Sequence, residues 1–122
     1  MDSEDAMLAV KAGADAIIIS NHGGRQLDGA PSTISVLPEI VDAINSKVEV
    51  HFDGGVRSGQ DVLKALALGA DCIHIGRPYV YGLGAKGQEG VEIAIEIIKK
   101  ELDLTMATVS YTHLTLPTSV TV

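Results

Sequence analysis

Amphipathic stretches with a helical period alternate with short apolar runs along most of the chain. Residues 16–20 form a brief, β-branched apolar run, which is typical of a parallel strand covered on both faces. Residues 48–53 alternate with a period of two and lead into a glycine pair, and residues 72–76 are again mostly apolar. Both segments predict strands. With the helices between them, the predicted order is α-β-α-β-α-β-α.

Capping signals place the helices. Ser3 is a candidate N-cap of the first helix, and Pro38 suits the first position of the second. Ser58 is followed three residues later by Asp61, which resembles a capping box and predicts the start of a third helix. An apolar stripe over residues 91–102 predicts a last helix of about three turns.

Alternation of this kind implies a parallel sheet with right-handed crossovers, either an open doubly wound sheet or a piece of a (β/α)8 barrel. A complete barrel of this type takes about 250 residues. The chain has 122 residues and three predicted strands, so it can supply only part of one. We therefore expect a single α/β domain that is a fragment of a larger fold.

Composition and charge indicate which partners and which cellular compartment to expect. The net charge of -7 disfavours nucleic acid and anionic membranes as partners, because both repel an acidic surface. No apolar run approaches the roughly 18 residues of a membrane span, and no secretion signal is present. Cys72 is the only cysteine, so it forms no internal disulfide, and its apolar surroundings predict a small buried side chain. These features predict a cytoplasmic protein.

The end of the chain has a different character. Thr33 is the only threonine before residue 105, yet threonine is frequent from there onwards, and the last stretch has no helical period. We interpret residues 108–122 as a tail that does not continue the preceding pattern. It is either foreign sequence or a disordered terminus.

All three predicted strands end in polar or glycine-rich segments, at residues 20–25, 53–57 and 76–78. The carboxyl ends of parallel strands form the functional edge of such folds, so these segments should lie together. Glycine turns bring backbone N–H groups close to an anion, and Arg57 and Arg77 add charged donors. The second and third segments therefore predict a phosphate site. The alternative is that the glycines only make tight turns and the arginines are solvated.

The first segment suggests different chemistry. His22 lies in a polar loop, and histidine readily accepts a proton near neutral pH. Arg25 follows three residues later and could hold a substrate carboxylate through paired hydrogen bonds. Asp53 could accept hydrogen bonds from a polyol chain, or it could simply cap a turn. A loop histidine followed by an arginine is also common on ordinary surfaces, so the pattern alone leaves both interpretations open.

Other chemistry-bearing residues are assigned structural roles. His51 and His74 could face a barrel lumen, but each lies more than one residue from the functional edge. Neither a carboxylate nor a cysteine looks suitably spaced to complete a metal site with them, so no metal is predicted. Tyr79 and Tyr81 are expected to pack under the turn at residues 76–78.

Taken together, three motifs resemble the FMN-dependent 2-hydroxy-acid dehydrogenase family, which includes glycolate oxidase, lactate oxidase and flavin-type lactate dehydrogenase. The motifs are Ser-Asn-His-Gly-Gly-Arg-Gln-Leu-Asp at residues 20–28, Asp-Gly-Gly-Val-Arg at 53–57 and Gly-Arg-Pro at 76–78. The resemblance runs from about residue 3 to residue 107, which places a partial barrel domain over residues 1–107. It implies strands six to eight of a (β/α)8 barrel that binds FMN.

The resemblance also implies roles for the matching positions. His22 would be the catalytic base and would contact a small 2-hydroxy acid together with Arg25, while two electrons pass to FMN and then to oxygen or another acceptor. The full-length parent is expected to be a homo-oligomer. The implied FMN contacts are Ser20, Asp53, Gly54, Gly55, Val56, Arg57, Gly76 and Arg77.

Several groups of the family have no counterpart in this chain. Earlier barrel strands supply a tyrosine, a second arginine, a carboxylate that orients the histidine and a lysine near the flavin. We therefore expect the isolated chain to be inactive, with an exposed apolar strand edge that favours aggregation. The alternatives are another phosphate- or flavin-binding barrel enzyme, or a noncatalytic phosphate-binding fragment.

Overall fold

The computed structural model describes residues 1–109 and the backbone of Val120 and Thr121. The predicted alternation of helices and strands is confirmed. The helices are α1 (Ser3–Lys11), α2 (Thr33–Ile44), α3 (Gly59–Ala67) and α4 (Arg77–Thr108). The strands are β1 (Ala16–Ile19), β2 (Glu49–Phe52), β3 (Cys72–His74) and β4 (Val120–Thr121), and a short 3-10 turn spans His22–Gly24.

The strands form one parallel sheet in the order β1-β2-β3-β4. Ile17 pairs with Val50, and Phe52 pairs with Ile73. Strands that follow one another in sequence are thus neighbours in space, without the reversal of order that marks a doubly wound sheet. The strand β4 was not predicted from the sequence. Most of the proposed tail, residues 110–119 and 122, lies outside the described residues.

Helices cover one face of this sheet. Ile19, Val50 and Ile73 point to that face and are at most 3% exposed, and they belong to one apolar cluster with residues of the helices. On the opposite face Ile18 is 57% exposed. The prediction that the first strand is covered on both faces is therefore wrong for the described residues, because no described element packs over Ile18. A sheet with helices on one face is the arrangement found in the wall of a barrel.

The second helix begins earlier than its sequence suggested. It starts at Thr33 with Ser32 as the N-cap residue, so Pro38 lies inside the helix instead of at its first position. Burial explains the difference, since Thr33 is 2% exposed and Leu37 is fully buried. The packing of this first turn outweighs the loss of one backbone N–H at the proline.

The last helix is also longer than predicted. It begins at Arg77, although residues 76–78 were predicted to form a turn, and it is interrupted at Lys86 and Gly87, where the backbone leaves helical geometry. Its first part carries Tyr81, which is 64% exposed, so the prediction that this tyrosine packs under the turn is wrong. Tyr79 does pack against the core. No helix within the described residues is long and apolar enough to cross a membrane.

Side-chain caps stabilise the N-termini of α3 and α1. The Ser58 hydroxyl accepts a hydrogen bond from the Asp61 backbone N–H at 3.2 Å, as predicted. The first helix is capped by Asp2, not by Ser3, and the Asp2 carboxylate accepts a bond from Asp5 N at 2.9 Å. Asp2 takes the cap position because its backbone is extended, whereas Ser3 is already helical.

Candidate active site

The three strand-end segments meet at one edge of the sheet, around a cavity of about 390 Å³. This volume lies within the range of small-molecule sites, which is about 300–1,000 Å³. Every site residue singled out in the sequence lines the cavity: Ser20, His22, Arg25, Asp53, Gly54, Gly55, Val56, Arg57, Gly76 and Arg77. The structure therefore brings the predicted site residues together, as the parallel topology requires.

The turn after β1 presents His22 at the cavity. His22, Gly23 and Gly24 all have positive φ angles, of 55°, 66° and 70°. Glycine adopts this conformation without strain, and histidine is among the few other residues that do so with some frequency. The His22 backbone N–H donates to the Ser20 hydroxyl at 3.1 Å. The hydroxyl at the strand end thus holds the left-handed turn that carries the histidine.

The turn after β2 is tightly packed on its inner side. Gly54 has a φ of 102°, and a Cβ atom there would lie 2.7 Å from the Thr33 hydroxyl and 3.2 Å from Asn21 Oδ1. The Arg57 backbone N–H donates to the Asp61 carboxylate at 3.0 Å. These contacts anchor the turn to α2 and α3, so its glycine backbone can approach a ligand closely.

The third segment, residues 76–78, contacts the turn after β1. Arg77 is the first residue of α4, and its Nη2 donates to the Gly23 carbonyl at 3.3 Å. A helix N-terminus carries backbone N–H groups and a partial positive charge that favour an anion. A Cβ atom on Gly76 or Gly55 would meet nothing within 4 Å, which leaves room for a ligand beside both turns.

Two side chains in or beside the cavity were not assigned a functional role from the sequence. His74 lines it, although a structural role was preferred, and its position two residues before Gly76 was the available signal. Asn21 Oδ1 is buried and lacks a hydrogen-bond partner within the described residues. It lies on the packed side of Gly54, 3.2 Å from the position that a Cβ atom on that glycine would take.

The expectation that no cysteine or carboxylate is spaced to form a metal site with His51 and His74 is wrong. Cys72 is of intermediate burial, and its sulfur lies within 4.8 Å of a ring nitrogen of each histidine. Glu49 Oε2 lies 3.1 Å from His51 Nε2. Residue spacing along the sequence did not reveal this cluster. The cluster depends on the register between β2 and β3, in which His51 pairs with Cys72.

Fold and cavity together define an α/β unit whose strand carboxyl ends carry arginine side chains and glycine turns, a set of donors that suits an anionic ligand. The family model described as "FMN-dependent dehydrogenase" matches residues 1–118. The chain therefore belongs to the FMN-dependent dehydrogenase family, and FMN is the cofactor of that family.

Individual relatives agree with this membership. The chain is 60% identical to 2-hydroxyacid oxidase 1 of Mus musculus over 104 residues, 85% of this chain and 28% of that protein. It is 52% identical to L-lactate oxidase of Nostoc sp. over 111 residues, 91% of this chain and 30% of that protein. A solved mandelate oxidase with benzoyl-formic acid superposes with a TM-score of 0.86 at 51% identity, over 88% of this chain and 32% of that chain. The chain thus spans less than a third of these relatives.

The donor set of the cavity fits the phosphate end of FMN. Arg57 and Arg77 offer charged donors, and the α4 N-terminus offers backbone N–H groups. A Cβ atom at Gly55 or Gly76 would meet nothing within 4 Å, so no neighbouring side chain fills the space beside these turns. Asp53, at the carboxyl end of β2, can accept hydrogen bonds from the hydroxyls of a ribityl chain.

Proposed function

We propose that β1, β2 and β3 of this chain form strands six to eight of a (β/α)8 barrel enzyme that oxidises a small 2-hydroxy acid to the 2-keto acid. The observation that carries the proposal is the single cavity that contains His22, Arg25 and both phosphate-type turns. The names of the relatives, which are 2-hydroxyacid, lactate and mandelate oxidases, support the substrate class. Because those relatives are oxidases, oxygen is the electron acceptor to be tested first.

In this proposal Arg25 binds the substrate carboxylate. A guanidinium group holds a carboxylate through two parallel hydrogen bonds, which fixes the direction of the neighbouring hydroxyl-bearing carbon. The Arg25 backbone N–H donates to the His22 carbonyl at 3.3 Å, so one turn carries both residues. The substrate is thereby oriented beside the imidazole by local structure.

His22 accepts one proton as the substrate is oxidised, either from the hydroxyl or from the carbon that bears it. A positioned base of this kind contributes about 10²–10⁴-fold to a rate. Bound FMN would supply the two-electron acceptor. Ser20 acts on the same step indirectly, because its hydroxyl accepts the hydrogen bond that holds the His22 turn.

The isolated chain is proposed to be inactive. It spans under a third of its relatives, and the face of the sheet that carries Ile18 is not covered by described residues. An active site on this edge needs walls and charges from the remaining strands of a barrel.

The test is a chimeric enzyme in which the part of this chain that matches the mouse oxidase over 104 residues replaces the corresponding segment of that protein. We expect the chimera to bind FMN and to bleach its absorbance when glycolate or lactate is added without oxygen. His22→Ala should keep the flavin but slow the bleaching by at least about 100-fold. Gly29→Ala is the matched control, since a Cβ atom there meets nothing within 4 Å. Bleaching by the His22→Ala chimera at the parent rate would contradict the proposed base.

A further inference from the structure

A cluster on the uncovered face of the sheet carries chemistry that the proposed oxidation does not use. His51 lies on β2, and Cys72 and His74 lie on β3. His51 and Cys72 are partners in the strand register, and alternate residues of a strand share a face. The ligand atoms of the three side chains all lie within 4.8 Å of one another. Backbone pairing between the two strands therefore fixes the cluster.

The geometry is close to that of a metal site. Zinc binds imidazole nitrogen at about 2.0–2.1 Å and thiolate sulfur at about 2.3 Å, so tetrahedral ligand atoms stand roughly 3.3–3.8 Å apart. His51 Nδ1 and His74 Nε2 are 3.0 Å apart, and the two rings are tilted by 36° with centroids 5.2 Å apart. Small rotations of these side chains would bring the three atoms to bonding distance of one ion.

A carboxylate next to one of the histidines matches the usual surroundings of a metal-binding histidine. Glu49 Oε2 lies 3.1 Å from His51 Nε2, and a His51 tautomer that donates from Nε2 to this carboxylate leaves the lone pair of Nδ1 directed towards His74. Histidines that bind metals usually donate their second N–H to a carboxylate or carbonyl in this way. The exposed fraction is 20% for the His51 side chain and 70% for Glu49, so water and ions can reach the pair.

We infer that His51, Cys72 and His74 bind a zinc ion, with Glu49 orienting His51. Two imidazoles and a thiolate form a ligand set of borderline softness, which suits Zn²⁺ better than Mg²⁺ or Ca²⁺. His74 also lines the cavity at the strand ends, so the ion would lie beside that cavity. The ion cross-links β2 and β3. This inference does not rest on the proposed oxidation.

The test uses the metal-free 122-residue chain titrated with Co²⁺, whose bond to a thiolate gives an intense charge-transfer absorption. We expect one equivalent to bind, Zn²⁺ to displace it, and Zn²⁺ to raise the thermal unfolding midpoint, because a ligand that binds the folded state stabilises it. Cys72→Ala should abolish the absorption. Glu49→Gln should keep it but weaken binding about 10–100-fold.

His22→Ala is the matched control, because it removes a histidine outside the cluster and should leave the metal affinity unchanged. Zinc content of the chimeric enzyme, with and without Cys72→Ala, provides a second measurement in a complete barrel. One zinc per chain that disappears with Cys72→Ala supports the site there also. The inference is overturned if both proteins bind no metal, or if binding survives Cys72→Ala or depends on His22.

Discussion

Replacing Gly59 with alanine tests how closely α3 and α4 must approach. Gly59 is the first residue of α3, and a Cβ atom there would overlap the backbone of Glu101 and Leu102 and lie 2.6 Å from Glu101 Cβ. Its N–H also donates to the Glu101 carboxylate at 2.8 Å. The added methyl group would therefore push the two helices apart and stretch this hydrogen bond.

The expected loss follows from these two contacts. Overpacking of a well-filled interface costs about 1–3 kcal/mol, and a hydrogen bond to a charged group contributes about 1.5–3 kcal/mol. Alanine regains about 0.5–1 kcal/mol through its better helix propensity. Gly59→Ala should thus lower the free energy of unfolding by about 2–5 kcal/mol. This is a large share of the 5–15 kcal/mol typical of a domain.

Urea denaturation followed by far-ultraviolet circular dichroism measures this change, provided that the slope against urea concentration stays constant. Gly84→Ala is the matched control, because it lies in α4 with nothing within 4 Å of its Cβ position. It should stabilise the chain by up to about 1 kcal/mol. A Gly59→Ala chain within about 0.5 kcal/mol of the parent, or one no less stable than Gly84→Ala, would refute the close-approach argument.

Two further predictions concern binding and capping. Arg77→Gln in the chimeric enzyme should weaken FMN binding about 10–100-fold in a flavin fluorescence titration, because it removes a charged donor. Lys86→Gln makes the same charge change outside the cavity and should leave FMN affinity unchanged. Equal affinities for the two variants would contradict the role of Arg77. Ser58→Ala should destabilise the chain by about 1 kcal/mol in urea because it removes the α3 cap. Ser32→Ala, at the N-cap of α2, removes a hydroxyl that makes no cap hydrogen bond and should change stability by less than about 0.5 kcal/mol. A larger loss from Ser32→Ala than from Ser58→Ala would argue against the observed caps.

The sequence predicted β1, β2 and β3 because local signals mark them, and their parallel pairing predicted the grouping of the site. Short apolar runs mark strands, and parallel pairing then forces segments such as residues 20–25 and 53–57 to one edge. The early start of α2 before Pro38 was missed because burial of Thr33 outweighs the proline signal. The cluster around Cys72 was missed because it depends on cross-strand register, which residue spacing along one strand does not reveal.

The link between Arg77 and the Gly23 carbonyl joins the two halves of the cavity. A guanidinium group has five N–H donors, so one donor can stay on the carbonyl while the others grip an anion. Binding or release of FMN would then leave the turn at residues 22–24 unchanged. The turn that carries His22 would then be preorganised in the apoprotein.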